Sequence, residues 1–406
     1  MTPQAFSYGT LGSNGMIYMP PYGLTESLDY MLKLNPDTYE ISKIQLNVDS
    51  SKEKWTIGTT INNKIYFLPY DASSILIVNT DDDTVEYIDL KVSGTGKYNS
   101  AHYYNGKIIS LPYGVGCDYD LALILDINTH EFQLKRIDSM MDQKKWHTTQ
   151  IIDKIIYGVP RGERWEKPYF SQRIEFNCDT FEYTLTDLSG LWTDIDKQSY
   201  SNKKFTTMAK YKDKLFAPPY SENPNFDLML KFDKEWTYEH TELTKTSRKY
   251  YSHTVARNGK IYFPPAGHDE EWSELLVING ETSKWYTKDL GVGKESKKYF
   301  AGCENSNNKL YYIPRGGCVC EPEHDWKKLG DLVEVLVIDT KDDSHYTVDI
   351  SEYFTDNTTI EKYNHCLLVN DKIFAFPYGE SDSFQTMLVF DTLLEKVIKV
   401  IDLNEV

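Results

Sequence analysis

Asn258-Gly259-Lys260-Ile261-Tyr262-Phe263-Pro264-Pro265 is a polar turn, a short apolar run and a terminal proline, and the chain carries it eight times with variations. The other copies run Asn14 to Tyr22, Asn63 to Tyr70, Asn105 to Tyr113, Asp153 to Arg161, Asp213 to Tyr220, Asn308 to Arg315 and Asp371 to Tyr378. Their final prolines stand at 21, 69, 112, 160, 219, 265, 314 and 377, at intervals of 48, 43, 48, 59, 46, 49 and 63. Self-similarity at such a spacing marks a repeat architecture, in which each unit buries its apolar face against the next.

Each unit reads as four strands. In the sixth, Tyr250 to Arg257, Lys260 to Pro265, Leu275 to Asn279 and Lys284 to Leu290 are alternating or continuous apolar runs of strand length. Asn258-Gly259 joins the first two, and that dipeptide favours a type I′ hairpin with both central residues at positive φ. Turns such as Asn35-Pro36-Asp37-Thr38 and Asp339-Thr340-Lys341-Asp342 reverse the chain between the third and fourth strands. The expected fold is therefore all-β, a single eight-bladed β-propeller of four-stranded antiparallel meander blades, in one domain over residues 1–406. The blades are drawn at 1–50, 51–93, 94–141, 142–200, 201–245, 246–294, 295–358 and 359–406. The chain opens on a first strand, Phe6 to Leu11, and closes on a fourth, Lys396 to Leu403, so the ring is expected to close by packing between complete blades.

A His-Thr pair in the inner strand (His253-Thr254), then Asn258-Gly259-Lys260-Ile261-Tyr262, Val335-Leu336-Val337-Ile338-Asp339 and Trp285-Tyr286 resemble kelch-type propeller repeats. The resemblance covers nearly the whole chain and departs at the end of the second strand, where Pro-Tyr, Pro-Arg or Pro-Ala stands in place of the kelch Gly-Gly. It implies the fold and no particular activity, because kelch-like propellers serve as adaptors, binding proteins and occasional enzymes.

Composition excludes several classes. With 40% hydrophobic residues there is material for a large core, and no run nears the roughly 18 consecutive apolar residues of a membrane span, so neither membrane insertion nor an integral membrane protein is expected. A formal charge of -17 with no long basic run argues against nucleic acid as a partner. The start, Met1 to Ser7, has no basic segment followed by an apolar one, which reads as no signal peptide and synthesis in a cytoplasm, with work on a virion or cell exterior left open. The lysine-rich, Asn-, Ile- and Tyr-rich usage reads as an AT-rich genome. Cys178, Cys303 and Cys366 fall in expected strands as small buried hydrophobes.

Two rings of residues are candidates for binding. Lys97-Tyr98, Lys145-Trp146, Lys204-Phe205, Lys249-Tyr250, Lys298-Tyr299, Lys362-Tyr363 and Lys54-Trp55 open seven of the eight inner strands. They read either as cations and aromatics for a sugar or anion, or as blade wedges covered by lysine stems. The second ring follows the terminal proline: Tyr22, Tyr70, Tyr113, Arg161, Tyr220, Ala266, Arg315 and Tyr378. Its breaks are informative, since a scaffold needs sameness and a ligand needs difference. Arg161 and Arg315 head the longest loops, 161–172 and 315–334, and an arginine fork suits carboxylates, whether of an acidic sugar or of a loop-holding side chain. The ligand-binding candidates are Arg161, Arg164, Trp165, Tyr220, Arg315, Trp326, Tyr378 and Tyr113.

His147, His253 and His365 share one register in blades four, six and eight, too far apart around a ring to hold one metal, and read as structural. Cys318, Cys320 and His324 form the one metal-like cluster, with Cys-x-Cys spacing unlike ordinary zinc sites, and no cofactor is expected. No nucleophile elbow, phosphate loop or zinc-protease motif occurs. The sequence thus reads as a non-enzymatic recognition module presenting loops to a surface glycan or protein, in the manner of a bacteriophage tail or receptor-binding component, alone or as a homo-oligomer in a virion. The alternatives are a glycan-active lyase or hydrolase using Arg161 and Arg315, and an intracellular protein-interaction scaffold.

Overall fold

The computed structural model describes residues 6–22, 28–47, 55–115, 119–140, 144–162, 170–191, 203–221, 225–241, 243, 249–266, 272–291, 298–316, 332–354, 362–378 and 385–405. Among them the chain is all-β. Eight sheets of four consecutive antiparallel strands stand in a propeller arrangement, with helix limited to single 3-10 turns such as Ser189–Leu191 and Ser351–Tyr353. Blade six shows the plan, with strands Thr254–Val255, Lys260–Phe263, Glu274–Asn279 and Trp285–Asp289 paired in that order. Its first strand, Thr254–Val255, is shorter than the sequence run, and ahead of it the Lys249 N–H donates to Tyr220 O of the preceding blade at 3.1 Å.

Position in the blade explains the residue pattern. Third strands are buried without alternation, as in Leu275–Ile278 and Val335–Ile338, because a middle strand covered on both faces has no solvent side. Fourth strands such as Trp285–Asp289 form the blade edge and return to partial exposure. Each buried Leu, Val or Ile contributes ~1.5–3 kcal/mol relative to an exposed one.

Two compact units are distinguished. The first comprises Met1–Phe67, Ile75–Tyr87 and Ser252–Val406; the second comprises Leu68–Ser74 and Ile88–Tyr251. Within the first, Tyr262 and Val277 of blade six pack on Tyr312 and Leu336 of blade seven, and Tyr311 and Val337 pack on Ile373 and Phe390 of blade eight. Phe6, Ile17 and Leu32 of blade one meet Phe374, Phe376 and Met387 of blade eight. The first and last sheets therefore join by packing, each keeping its own four strands. Gly9 permits that approach, since a Cβ there would lie 2.2 Å from Phe376 Cζ. Within the second unit, Ile109 and Ile124 of blade three pack on Trp146 and Ile174 of blade four, and Tyr157 and Val159 pack on Leu215 and Leu230 of blade five.

The hairpin turns correct one expectation. Asn105 (φ 45°) and Gly106 (φ 76°) both take positive φ, as do Asn370 and Asp371, which is the type I′ signature. The other six blades differ: positive φ falls only on Asn62, Asp153 and Lys212 in blades two, four and five and only on Gly15, Gly259 and Asn308 in blades one, six and seven. In blade six Ala256 N–H donates to Lys260 O and Gly259 N–H to Ala256 O, both at 2.9 Å. The asparagine before the glycine is used otherwise: Asn14 and Asn258 donate from Nδ2 to Thr80 O and Thr340 O of the following blade, both at 2.6 Å. Cys178 likewise sits just past its strand, Gln172–Asn177, in the turn that follows.

Candidate functional site

Within each unit, the two candidate rings are the two rails of a backbone ladder. In the second unit Tyr70 O accepts Lys97 N–H at 2.8 Å and Lys97 O accepts Tyr113 N–H at 2.9 Å. Tyr113 O then accepts Lys145 N–H at 3.0 Å, Lys145 O accepts Arg161 N–H at 2.8 Å, and Arg161 O accepts Lys204 N–H at 3.1 Å. Lys204 O accepts Tyr220 N–H at 2.9 Å, and Tyr220 O accepts Lys249 N–H. The same steps recur in the first unit, where Arg315 N–H donates to Lys298 O at 2.9 Å, Arg315 O accepts Lys362 N–H at 2.6 Å, and Lys362 O accepts Tyr378 N–H at 2.8 Å. The residue after the proline thus binds the lysine of its own blade and that of the next. Any residue type serves a main-chain ladder, so the side chains at this position are released from that duty.

The lysines point inward. Lys97, Lys145, Lys204, Lys249, Lys298 and Lys362 are 0–2% exposed, and their aromatic neighbours Tyr98, Trp146, Phe205, Tyr250, Tyr299 and Tyr363 are equally buried. Lys97 Nζ donates to Asp71 O at 3.1 Å, Ala72 O at 3.0 Å and Gly94 O at 2.5 Å. Lys145, Lys249 and Lys362 reach Tyr119 O, Phe226 O and Leu332 O in the same way. Burial holds the Lys97 ammonium below its ordinary pKa, partly offset by nearby Asp71. These cations satisfy loop carbonyls that would otherwise be buried without donors, which costs ~1–3 kcal/mol per group. Lys54 lies outside the described residues.

The post-proline side chains make two aromatic clusters. In the second unit Tyr113 lies 6.3 Å from Tyr70 and 5.6 Å from His147, and Tyr251 lies 5.7 Å from both His147 and Tyr220. Arg161 Nη1 faces the Tyr113 hydroxyl at 3.4 Å. In the first unit the Arg315 guanidinium sits 4.0 Å from the Phe300 ring centre and 4.7 Å from that of Tyr378, and Nη1 donates to Asn364 Oδ1 at 2.6 Å. Both arginines are nearly buried, at 6% and 5% exposure. Of the sequence candidates, then, Tyr113, Arg161 and Tyr220 fall in one cluster and Arg315 and Tyr378 in another, while Arg164, Trp165 and Trp326 lie outside the described residues. Phe300, Asn364, His147 and Tyr251 were not singled out as ligand residues. The sequence carries a signal for them, since each lies two residues beyond a ladder lysine.

The register histidines are packed as rings. His147 Nδ1 pairs with Thr206 O at 2.8 Å, His253 lies 5.8 Å from Phe263, and His365 stacks on Phe376 at 5.5 Å with Tyr8 at 5.7 Å. Burial lowers the pKa of His253 and His365 to about 4. Among the described residues no group of three or more His, Cys, Asp or Glu is placed to share a metal, and Cys318, Cys320 and His324 lie outside them. A cavity of about 270 Å³ in the second unit, lined by Arg173, Asp187, Leu230, Trp236 and Tyr238, had no sequence signal. Its Arg173 stacks 5.0 Å over Trp236 and pairs with Glu175 at 3.1 Å. Among the described residues no helix is long and apolar enough to cross a membrane.

No family model matches the chain, and no curated relative does. Solved structures do. Apo AztD from Citrobacter koseri is similar at a TM-score of 0.56 and 11% identity, over 93% of this chain and 92% of that one. The computationally designed protein Ika8 is similar at 0.57 and 10%, over 95% and 96%. Dihydro-heme d1 dehydrogenase NirN, in complex with DHE, is similar at 0.58 and 9%, over 98% of this chain and 73% of that one. At such identities the likeness is one of fold alone, and it agrees with the eight sheets: the chain is an all-β propeller of eight four-stranded antiparallel blades.

Proposed function

We propose that this propeller is a non-enzymatic recognition module for an acidic surface glycan, held where its arginines break the post-proline ring. The observation that carries this is the setting of Arg315, a guanidinium between the Phe300 and Tyr378 rings with one nitrogen on Asn364. A planar fork meets a carboxylate with two parallel hydrogen bonds, and aromatic faces take the apolar side of a pyranose ring. Arg161 beside Tyr113 repeats the chemistry in the second unit. The kelch likeness and a bacteriophage tail or receptor-binding setting belong to this reading. So does a protein ligand bearing exposed carboxylates.

A glycan array with the purified chain, followed by calorimetry on Arg315→Lys and Arg161→Lys, tests it. Lysine keeps the charge and loses the fork, so affinity for a uronic- or sialic-acid glycan falls about tenfold, equivalent to about 1.4 kcal/mol, measured at a temperature where each variant is fully folded. If no polysaccharide binds while affinity capture returns a stable protein complex, the glycan reading is lost. NirN is named as a dehydrogenase on the same fold, so the array hits are also assayed for turnover. Turnover abolished by both substitutions would move the chain to the lyase or hydrolase alternative.

A further inference from the structure

Cys303 and Cys366 stand on the first strands of neighbouring blades, Tyr299–Glu304 and Tyr363–Val369, with their sulfur atoms 3.5 Å apart. Both are free thiols, and both belong to the apolar cluster that joins blades seven and eight. A disulfide requires the sulfurs to approach by about a further 1.5 Å, to roughly 2.05 Å. Each strand already departs from regular pairing close by, with register shifts between Tyr299 and Ala301 and between Tyr363 and His365. Such irregular strands have slack that a rigid ladder lacks.

We infer that Cys303 and Cys366 are a reversible oxidation site, forming a disulfide that staples blade seven to blade eight. Two thiols lose two protons and two electrons to a disulfide-type or diazene oxidant, one S–S bond forms, and the oxidant is reduced by the same two electrons. The Cys366 thiol is held well above its usual pKa, by the hydrogen bond with Cys303 and by burial, so thiolate is scarce and the bond forms slowly and persists. The same two strands carry Phe300 and Asn364, which hold Arg315, so the staple would fix that strand pair. The inference does not depend on what Arg315 binds.

The test treats the folded chain with diamide and maps peptides under non-reducing conditions. The expected product is a Cys303–Cys366 linked peptide two hydrogens lighter than its parts, with a raised melting temperature that a dithiol reductant returns to its starting value. Cys303→Ser abolishes both the link and the shift, and Cys178→Ser, at a buried cysteine outside that pair, keeps both. Cys303 is the partly exposed member, so its serine variant remains usable if Cys366→Ser does not fold. Alkylation of both residues as free thiols after oxidation, pairing of either with a different cysteine, or a link that appears only in denaturant would overturn the inference. A linked form with an unchanged melting temperature would remove the stapling role.

Discussion

Tyr262 of blade six donates its hydroxyl to Asp343 Oδ1 of blade seven at 2.5 Å, while Lys260 reaches the other carboxylate oxygen at 2.6 Å. Tyr286 adds a third bond. Asp343 occupies the left-handed position (φ 60°) of the turn between third and fourth strands. Asp83 (φ 61°) receives Tyr18 and Lys33 in the same manner, and Glu395 (φ 51°) receives Tyr311 and Lys309. One acidic side chain at a fixed turn position thus clamps three blade junctions.

Removing that acid should be costly. Asp343→Ala leaves the buried Tyr262 hydroxyl and the Lys260 ammonium without their partner, and a loss of about 3 kcal/mol is expected by denaturant unfolding. Glu86→Ala, which breaks the exposed Lys64–Glu86 pair, should cost under about 1 kcal/mol. Burial pushes the Asp343 carboxyl up, but the Lys260, Tyr262 and Tyr286 hydrogen bonds outweigh it and hold it below the usual carboxylate value. The stabilisation is therefore present above the unfolded pKa of about 3.9 and is lost as pH falls below it.

The lysine rail can be tested apart from binding. Lys97→Met keeps much of the apolar stem and strips three carbonyls of their donor, so a loss of about 2–4 kcal/mol is expected in the melt. Ligand affinity of the folded variant should be unchanged. A weakened ligand with an unchanged melt would return the lysines to the binding site.

Acid sensitivity should come from the histidines. Burial sets His253 and His365 at about 4, and His102, beside Thr149 with the Lys210 charge adding to burial, also at about 4. The unfolded chain takes up these protons near pH 6.5 and the folded chain does not, so stability is complete above that pH and declines as it falls toward 4. Each ring contributes at most ~1.4 kcal/mol per pH unit in that window. Unfolding free energies at pH 7 and pH 5 measure the slope, and His365→Phe should reduce it by one histidine's share.

Two asparagines that look alike should respond differently. Asn105 is itself at positive φ, so Asn105→Gly should be neutral within about 0.5 kcal/mol and Asn105→Ala should cost about 1 kcal/mol. Asn258 acts through its side chain, donating to Thr340 O and accepting from Lys260 N–H. There Gly and Ala should both cost ~1–2 kcal/mol in a thermal or denaturant melt.

Much of the architecture was legible because it is written locally. The Asn-Gly turn, the apolar second strand and the continuous third strand each follow from backbone preferences over a few residues, and their repetition makes the count of blades plain. The type of turn in blades one and six was not legible, because Asn14 and Asn258 answer to a threonine carbonyl 66 and 82 residues away. The arginine at the post-proline position was legible as a break in the repeat. What it touches was not, since Phe300 and Asn364 come from two different blades.

By itself the sequence determined eight four-stranded blades and where their turns fall, because period and turn chemistry act between neighbours along the chain. Only the tertiary structure decided that the lysine and the post-proline residue are partners, that the lysine charge is turned onto loop carbonyls, and that Arg315 lies between two rings. The residues recur with the repeat, but which backbone and ring each one meets depends on the angle and distance between strands and blades, which residue order along the chain does not encode.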